Sequence, residues 1–356
     1  MSDLSAPPSP SMPAAVYRRP GEVTVEEYPV PKPDADEVLI EVSHCGICGS
    51  DLHFVLEGWS APDVVHGHEW SGRVVAVGAD VDEWQLGDEV VGGPSPRCGT
   101  CGACRAGLPS QCERRDDITT GSQGAFAGYV AVDRHSLLAV PDGLSLRGAA
   151  LAEPLAVSLH AITRSGLAPE ERALVLGAGP IGALIVAALV ARGHDDVAVV
   201  EPASARQDLA RRLGADPVRS PDELPAFTVA EPERLAADAY HVVFECSGKR
   251  SAMEAGLSQL RRGGRLVLVG AGIDPPRFDP NRILLNELTV TGAFVYDADG
   301  FEVALDLLAS GRIPVDTLVE EADVPLDGML DAMHNLASGR TAGKVMVVPR
   351  HQKGPS

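Results

Sequence analysis

At 356 residues, 45% of them hydrophobic, the chain is too long for one core and apolar enough to fill two. Fifty acidic side chains against thirty basic ones leave a formal net charge of −20. That balance excludes nucleic acid and anionic membrane as partners, because either needs a basic face. The opening MSDLSAPPSPSMP is rich in proline and serine, so residues 1–12 are expected to be a disordered tail. Met12, directly before the strand-like AAVYRR, is a second candidate start of translation beside Met1. From 13 to about 155, short valine-rich runs such as EVLIEV, SGRVVAVG and DEVVGG alternate with Gly, Asp and Pro turns, which predicts a mostly β lobe. From about 156 to 293, strand and helix patterns alternate, predicting a parallel sheet covered on both faces. Beyond 294, FEVALDLLASGRI has helical period and KVMVV reads as a strand.

Chemistry-bearing residues come in three groups along the first lobe. SHCGICGSDLH, residues 43–53, carries Cys45, Cys48, Ser50, Asp51 and His53, and HGHEWSG, residues 66–72, carries His68 and Glu69. A catalytic zinc takes a few protein ligands and keeps one exchangeable position, and a thiolate, an imidazole and a carboxylate from separate segments supply such a set. CGTCGACRAGLPSQC then places Cys98, Cys101, Cys104 and Cys112 at Cys-x2-Cys-x2-Cys-x7-Cys spacing. Four crowded thiolates repel one another unless a cation neutralises them, so a closed structural zinc is expected over the alternative of disulfides. With four thiolates bound, such a metal has no position open to substrate, so the chemistry belongs to the upstream pair of segments.

Residues 172–193, RALVLGAGPIGALIVAALVARG, read as a short apolar strand, a glycine turn and an apolar helix too short and interrupted to span a membrane. Gly177, Gly179 and Gly182, with Pro180 and Ile181 between the last two, give the G-x-G-x-x-G spacing that seats a pyrophosphate on a helix N-terminus. The following strand VAVVE ends at Glu201, about twenty residues on, where a carboxylate accepts hydrogen bonds from the adenosine ribose. That charge repels a 2′-phosphate, so NAD(H) is expected over NADP(H), with Arg206 the weak counter-signal. VVFECSG (242–248) and RLVLVGAG (265–272) read as later parallel strands whose C-terminal ends, including Gly270, face the cofactor.

Together these residues resemble the zinc-containing medium-chain dehydrogenases of the alcohol and polyol dehydrogenase family. GHEWSGRVVAVGADV, Gly67 to Val81, matches that family's zinc signature, and the resemblance runs from about Ala14 to Val348. It implies a GroES-like, mostly β catalytic domain (13–155, rejoined by 294–356) and a Rossmann doubly wound sheet (156–293). It also selects Cys48 over Cys45, because Cys48-Gly49-Ser50-Asp51-Leu52-His53 fits the family's pattern. LAEPLAVSLHA (151–161), with Glu153 before Pro154, resembles the sorbitol, 2,3-butanediol and threonine dehydrogenase branch. Carried over, the catalytic zinc ligands are Cys48, His68 and Glu69, with Glu153 binding directly or through water. Phe294 and Val295 are implied to lie near the nicotinamide, and a homotetramer or homodimer is implied.

The expected reaction is reversible oxidation of a secondary alcohol, diol or polyol to a ketone, with zinc as Lewis acid and NAD⁺ as hydride acceptor. Ser50 and His53 are expected to carry the proton out through the cofactor ribose. Two zinc ions per chain separate this reading from a non-catalytic NAD-binding redox sensor, and the GHE ligands separate it from a zinc-free enoyl or quinone reductase. With five cysteines on metals, Cys45 and Cys246 are expected to be free thiols, which suits a reducing cytoplasm. Trp59 and Phe126 are expected on the wall of the substrate pocket.

Overall fold

The computed structural model describes residues 10–92, 98–114, 123–227 and 230–349. The first lobe runs β1 (Ser11–Arg19), β2 (Glu22–Pro29), β3 (Glu37–Gly46), α1 (Gly49–Leu56), β4 (Val64–Val65), β5 (Glu69–Val77) and β6 (Glu89–Gly92). The short α2 (Gly102–Arg105), β7 (Tyr129–Asp133), β8 (Leu137–Ala139) and α3 (Leu146–Ala149) complete it. Next come α4 (Ala152–Ser165), β9 (Ala173–Leu176), α5 (Pro180–Ala191), β10 (Val197–Val200), α6 (Ser204–Arg212) and β11 (Val218–Arg219). They are followed by β12 (Tyr240–Glu245), α7 (Arg250–Ser258), β13 (Leu260–Leu268), α8 (Pro280–Leu285) and β14 (Thr289–Gly292). The chain closes with α9 (Gly300–Ala309), α10 (Val315–Leu318), β15 (Val324–Pro325), α11 (Met329–Ala337) and β16 (Met346–Val348).

The β lobe holds a small sheet in the order β2-β1-β4 and a larger one in the order β15-β16-β3-β5-β6-β8, with β7 also on β3. The second lobe is a parallel sheet in the order β11-β10-β9-β12-β13-β14, crossing over at β9 between β10 and β12. Its central strands ALVL and VAVV are buried at every residue, as strands covered on both faces must be. Helix α5 is apolar all round and buried continuously from Gly182 to Leu189, packed between α4 and the sheet. Each Leu, Ile or Val buried there contributes roughly 1.5–3 kcal/mol.

Two boundaries differ from the sequence expectation. Strand β1 begins at Ser11, inside the predicted tail of 1–12, because Met12 is 1% exposed and its sulfur accepts the Tyr129 backbone N–H. The expected disorder of 1–9 lies outside the described residues. The return into the β lobe begins near Val324, where β15 and β16 join β3, and not at 294. Residues 300–319 instead bury Phe301, Ala304, Leu305 and Leu308 in the core that surrounds α4 and α5. Among the described residues no helix is long and apolar enough to cross a membrane.

Candidate active site

Cys48 is the N-cap of α1, where its backbone N–H donates to Asp51 Oδ2 at 2.9 Å and fixes the first turn. Strand β5, antiparallel to β3, begins at Glu69, which pairs with Gly46, so His68 and Glu69 stand at a strand end close to that cap. As a result one donor atom each from Cys48, His68 and Glu69 lies within 4.8 Å of the others. Cys45, on β3, is fully buried in the β-lobe core, and burial pushes its thiol well above the ordinary cysteine range. It is no part of the cluster. Glu153, in the first turn of α4, is outside that set of three; burial pushes its carboxyl up to about 7, against the pull of His68.

Two charged residues that the sequence reading left without a role complete the surroundings. Asp51 is wholly buried, and its Oδ1 lies 3.9 Å from His68 Nδ1 with no hydrogen-bond partner. Lys344, 2% exposed, donates from Nζ to both Glu69 oxygens at 2.7 and 2.6 Å and to the Ile47 carbonyl at 3.0 Å. The space for this pair exists because residue 46 is glycine; a Cβ there would run into Glu69 Oε2. Three buried carboxyl groups and a thiol against one ammonium and one imidazole leave the pocket short of positive charge. A thiolate–imidazole–carboxylate set suits zinc, and a divalent cation supplies the missing charge.

Ser50 and His53 lie one turn apart on α1, both half-buried. Glu57 Oε2 meets His53 Nδ1 at 2.7 Å, and Trp59 stacks on the ring at 4.5 Å and 14°. Trp59 is therefore tied to His53. Phe126, expected on the pocket wall, is fully buried in the β-lobe core.

The four sulfurs of Cys98, Cys101, Cys104 and Cys112 also lie within 4.8 Å of one another, and none of the seven cysteines is in a disulfide. Backbone N–H groups of Cys98, Cys101 and Cys104 point at the sulfurs of Cys112, Cys98 and Cys101 at 3.3, 3.3 and 3.4 Å. N–H donors aimed at sulfur favour thiolates, the form that binds metal. Replacing Cys101 with Ser is expected to lower stability and disperse the lobe, because metal affinity here is folding free energy. Circular dichroism and size-exclusion chromatography check this; a folded, correctly assembled but inactive variant would move the cluster into the chemistry.

At the other lobe β9 runs into Gly177, Gly179 caps α5, and Pro180 occupies its first position, with Ile181 behind it. Gly182 lets helix and turn touch, since a Cβ there would strike the Gly177 carbonyl oxygen. Glu201 follows β10, 3% exposed, and accepts from the Ala178 and Ala203 backbone N–H groups at 2.7 and 2.9 Å. The carboxylate thus braces the glycine turn. Arg206, the candidate phosphate partner, is committed elsewhere: it donates to the Leu336 and Thr341 carbonyl oxygens at 2.6 and 3.3 Å. Gly270 lies against Gly248 and Cys246 at the carboxyl ends of β12 and β13. Phe294 is 59% exposed after β14, while Val295 packs inward with φ +54°, a strained value for a β-branched residue.

The chain is similar to known proteins over most of its length. Residues 34–142 match the family described as alcohol dehydrogenase GroES-like domain, and residues 180–310 the family described as zinc-binding dehydrogenase. A sorbitol dehydrogenase of Bacillus subtilis (strain 168) is 34% identical over 95% of this chain and 98% of its own. The crystal structure of 2R,3R-butanediol dehydrogenase from Bacillus subtilis superimposes with a TM-score of 0.82 at 33% identity, covering 96% of this chain and all (100%) of that one. A zinc-binding dehydrogenase from Sinorhizobium meliloti 1021, bound to NADP, gives a TM-score of 0.83 at 30% identity over 96% of this chain and 100% of that one.

Proposed function

The chain belongs to the zinc-dependent medium-chain dehydrogenases and is an alcohol or polyol oxidoreductase, and we propose that Cys48, His68 and Glu69 form its catalytic metal centre, serving NAD(H). The observation that carries this reading is the convergence of those three donors within 4.8 Å beside buried Asp51 and Lys344. Zinc held by Cys48, His68 and Glu69 would supply Lewis acidity toward a substrate hydroxyl, and NAD⁺ held at the Gly177–Gly182 turn would supply the hydride acceptor. Everything else falls to the chain's own side chains. Asp51, with Oδ1 3.9 Å from His68 Nδ1, acts on the ring as a nearby negative charge and raises its basicity. Glu153, close enough to feel both His68 and Glu69, is the carboxylate placed to exchange into the ligand set. Ser50 takes the hydroxyl proton and His53, oriented by Glu57 and Trp59, passes it to solvent.

Cys98, Cys101, Cys104 and Cys112 hold a second, structural zinc in this reading, giving two metals per chain. Substrates are secondary alcohols, diols or polyols, in keeping with the sorbitol and butanediol dehydrogenases it resembles. A homodimer or homotetramer in the cytoplasm is the proposed setting. The open edge of β14 with exposed Ile273, Leu284 and Leu285 favours association. A panel of polyols, vicinal diols and simple secondary alcohols, read by NADH absorbance with metal content measured alongside, tests the whole reading. One zinc per chain and no turnover would leave a structural remnant in its place.

NAD⁺ preference rests on Glu201. A 2′-phosphate beside this nearly buried carboxylate meets a repulsion on the order of 2–4 kcal/mol, roughly 30- to 1000-fold in kcat/KM. Glu201→Ser is expected to narrow the gap between cofactors while lowering kcat/KM for NAD⁺ itself about tenfold, since the Ala178 N–H loses its acceptor. Steady-state kinetics with both cofactors decide it: equal use by the wild type, or an unchanged preference in the variant, sinks the assignment.

A further inference from the structure

Helix α4 carries two buried ionisable side chains, Glu153 and His160, seven residues and so roughly 10 Å apart along one face. Glu153, in the first turn, lies close enough to His68 and Glu69 for their charges to act on it. His160, two turns on and 4% exposed, turns to a different partner. Its Nδ1 meets Asp297 Oδ1 at 2.7 Å, and because a carboxylate only accepts, the ring donates. Arg192, at the C-cap of α5, is a second positive group that feels this carboxylate. Asp297 belongs to the segment that leaves β14, and the backbone there is strained. Val295 holds φ +54°, a left-handed value that a β-branched residue keeps only when its surroundings impose it. The Ala293 N–H bonds the Leu268 carbonyl at 3.0 Å, the Gly300 N–H bonds the Asp297 carbonyl at 3.1 Å, and the Tyr296 ring meets Phe301 edge-on at 4.9 Å. Helix α4 grips the same stretch on both sides of Val295: Arg164 donates to Thr291 Oγ1 at 3.0 Å, and His160 to Asp297. Apolar packing sets no backbone angle, whereas a buried, directional bond two residues past Val295 does.

In the strand order β11-β10-β9-β12-β13-β14, the glycine turn follows β9 and Glu201 follows β10. A dinucleotide with its pyrophosphate at that turn and its adenosine beside Glu201 runs its other half past the carboxyl ends of β12, β13 and β14. Segment 293–297 leaves the last of those ends. We propose that His160 and Asp297 are positioning residues that hold segment 293–297 in its strained form, as the wall against which the nicotinamide half of the cofactor is seated. The proposal rests on the reading that NAD(H) binds the glycine turn. Because Glu153 and His160 share one face of one buried helix, the metal donors and this wall keep a fixed separation, which suits transfer between a substrate at the donors and the nicotinamide ring. Without the bond Val295 relaxes, the wall is present for only part of the time, and the apparent affinity for the nicotinamide half falls by that fraction. A ligand that lacks the ring carries no such penalty.

Isothermal titration of the zinc-loaded protein with NADH and with ADP-ribose, which has the same adenosine, pyrophosphate and second ribose but no nicotinamide, tests this. His160→Ala is expected to bind NADH about 10-fold more weakly, the scale of one hydrogen bond, and ADP-ribose as the wild type does. His160→Asn places an amide N–H where Nδ1 stands, so it is expected to bring NADH affinity back to within about 3-fold of wild type. Asp297→Asn keeps an acceptor for the ring and is expected to behave like wild type, whereas Asp297→Leu loses it and follows His160→Ala. The Asp297 side chain is 36% exposed, so its variants carry the test if His160→Ala fails to fold. Equal weakening of NADH and ADP-ribose would mark a general loss of structure and overturn the assignment. So would NADH affinity unchanged in both His160→Ala and Asp297→Leu, since the remaining contacts would then hold the segment alone. Failure of both asparagine variants to preserve binding would make the effect steric and overturn it as well. A wild-type protein that binds neither ligand would sink the dinucleotide reading itself, and this proposal with it.

Discussion

Replacing Cys48 with Ser is expected to abolish alcohol oxidation, by at least about three orders of magnitude, while leaving circular dichroism and thermal unfolding close to wild type. The size of the effect follows from position. Cys48 caps α1 with its backbone and reaches the donor cluster with its sulfur, so serine keeps the cap and loses the thiolate. Serine is also a good N-cap residue, which argues against any collapse of the helix. Cys45→Ala is the control. That side chain is fully buried in the β-lobe core away from the donors, so its loss is expected to cost about 1 kcal/mol of stability and little activity. Assays of turnover and of zinc content by atomic absorption separate the two: Cys48→Ser should retain one metal, Cys45→Ala two. Reversed phenotypes would assign the thiolate ligand to Cys45.

The parts of this site that were legible in the sequence are those encoded locally. Cys98 to Cys112 and the glycine turn from Gly177 to Gly182 each lie within one short segment where spacing constrains geometry, whereas Cys48 through His53 also lie in one segment but the choice of Cys48 over Cys45 came from the family resemblance. His68 and Glu69 were legible because the segment from Gly67 to Val81 matches the family's zinc signature, and the structure starts β5 at Glu69. The unread parts are held by contacts distant in sequence. Lys344 meets Glu69 across 275 positions, and nothing in GKVMVV distinguishes a buried ammonium from a solvated one. Arg206 reads as a phosphate partner because it follows closely on Glu201, whereas its acceptors lie 130 and 135 residues away. Met12 read as tail because proline and serine surround it, and only Tyr129, 117 residues on, shows that it is core.

Lys344→Met is expected to destabilise the metal-free protein by about 3–5 kcal/mol, a large share of the whole stability of a domain. Burial alone pulls the Lys344 pKa down, but Glu69, Cys48 and Glu153 outweigh it, so the ammonium is charged and raised above its ordinary value. Both members of the pair are essentially inaccessible, at 2% and 0% exposure, so water cannot replace a missing partner. Methionine fills most of the stem's volume, and the loss is therefore one of charge more than of packing. What remains is a buried Glu69 carboxylate beside Asp51 and Glu153, each adding repulsion. Zinc offers that carboxylate a second counter-charge, so the destabilisation should shrink when metal is present. Urea unfolding of the variant with zinc and after chelation measures the difference directly. Adding Glu69→Gln removes the orphaned charge and should restore about 2 kcal/mol in the chelated protein, a coupling that a purely steric role for Lys344 does not produce. A single variant within 1 kcal/mol of wild type in both conditions, judged against the 3–5 kcal/mol cost of orphaning a buried charge, would show that Glu69 is held without its lysine.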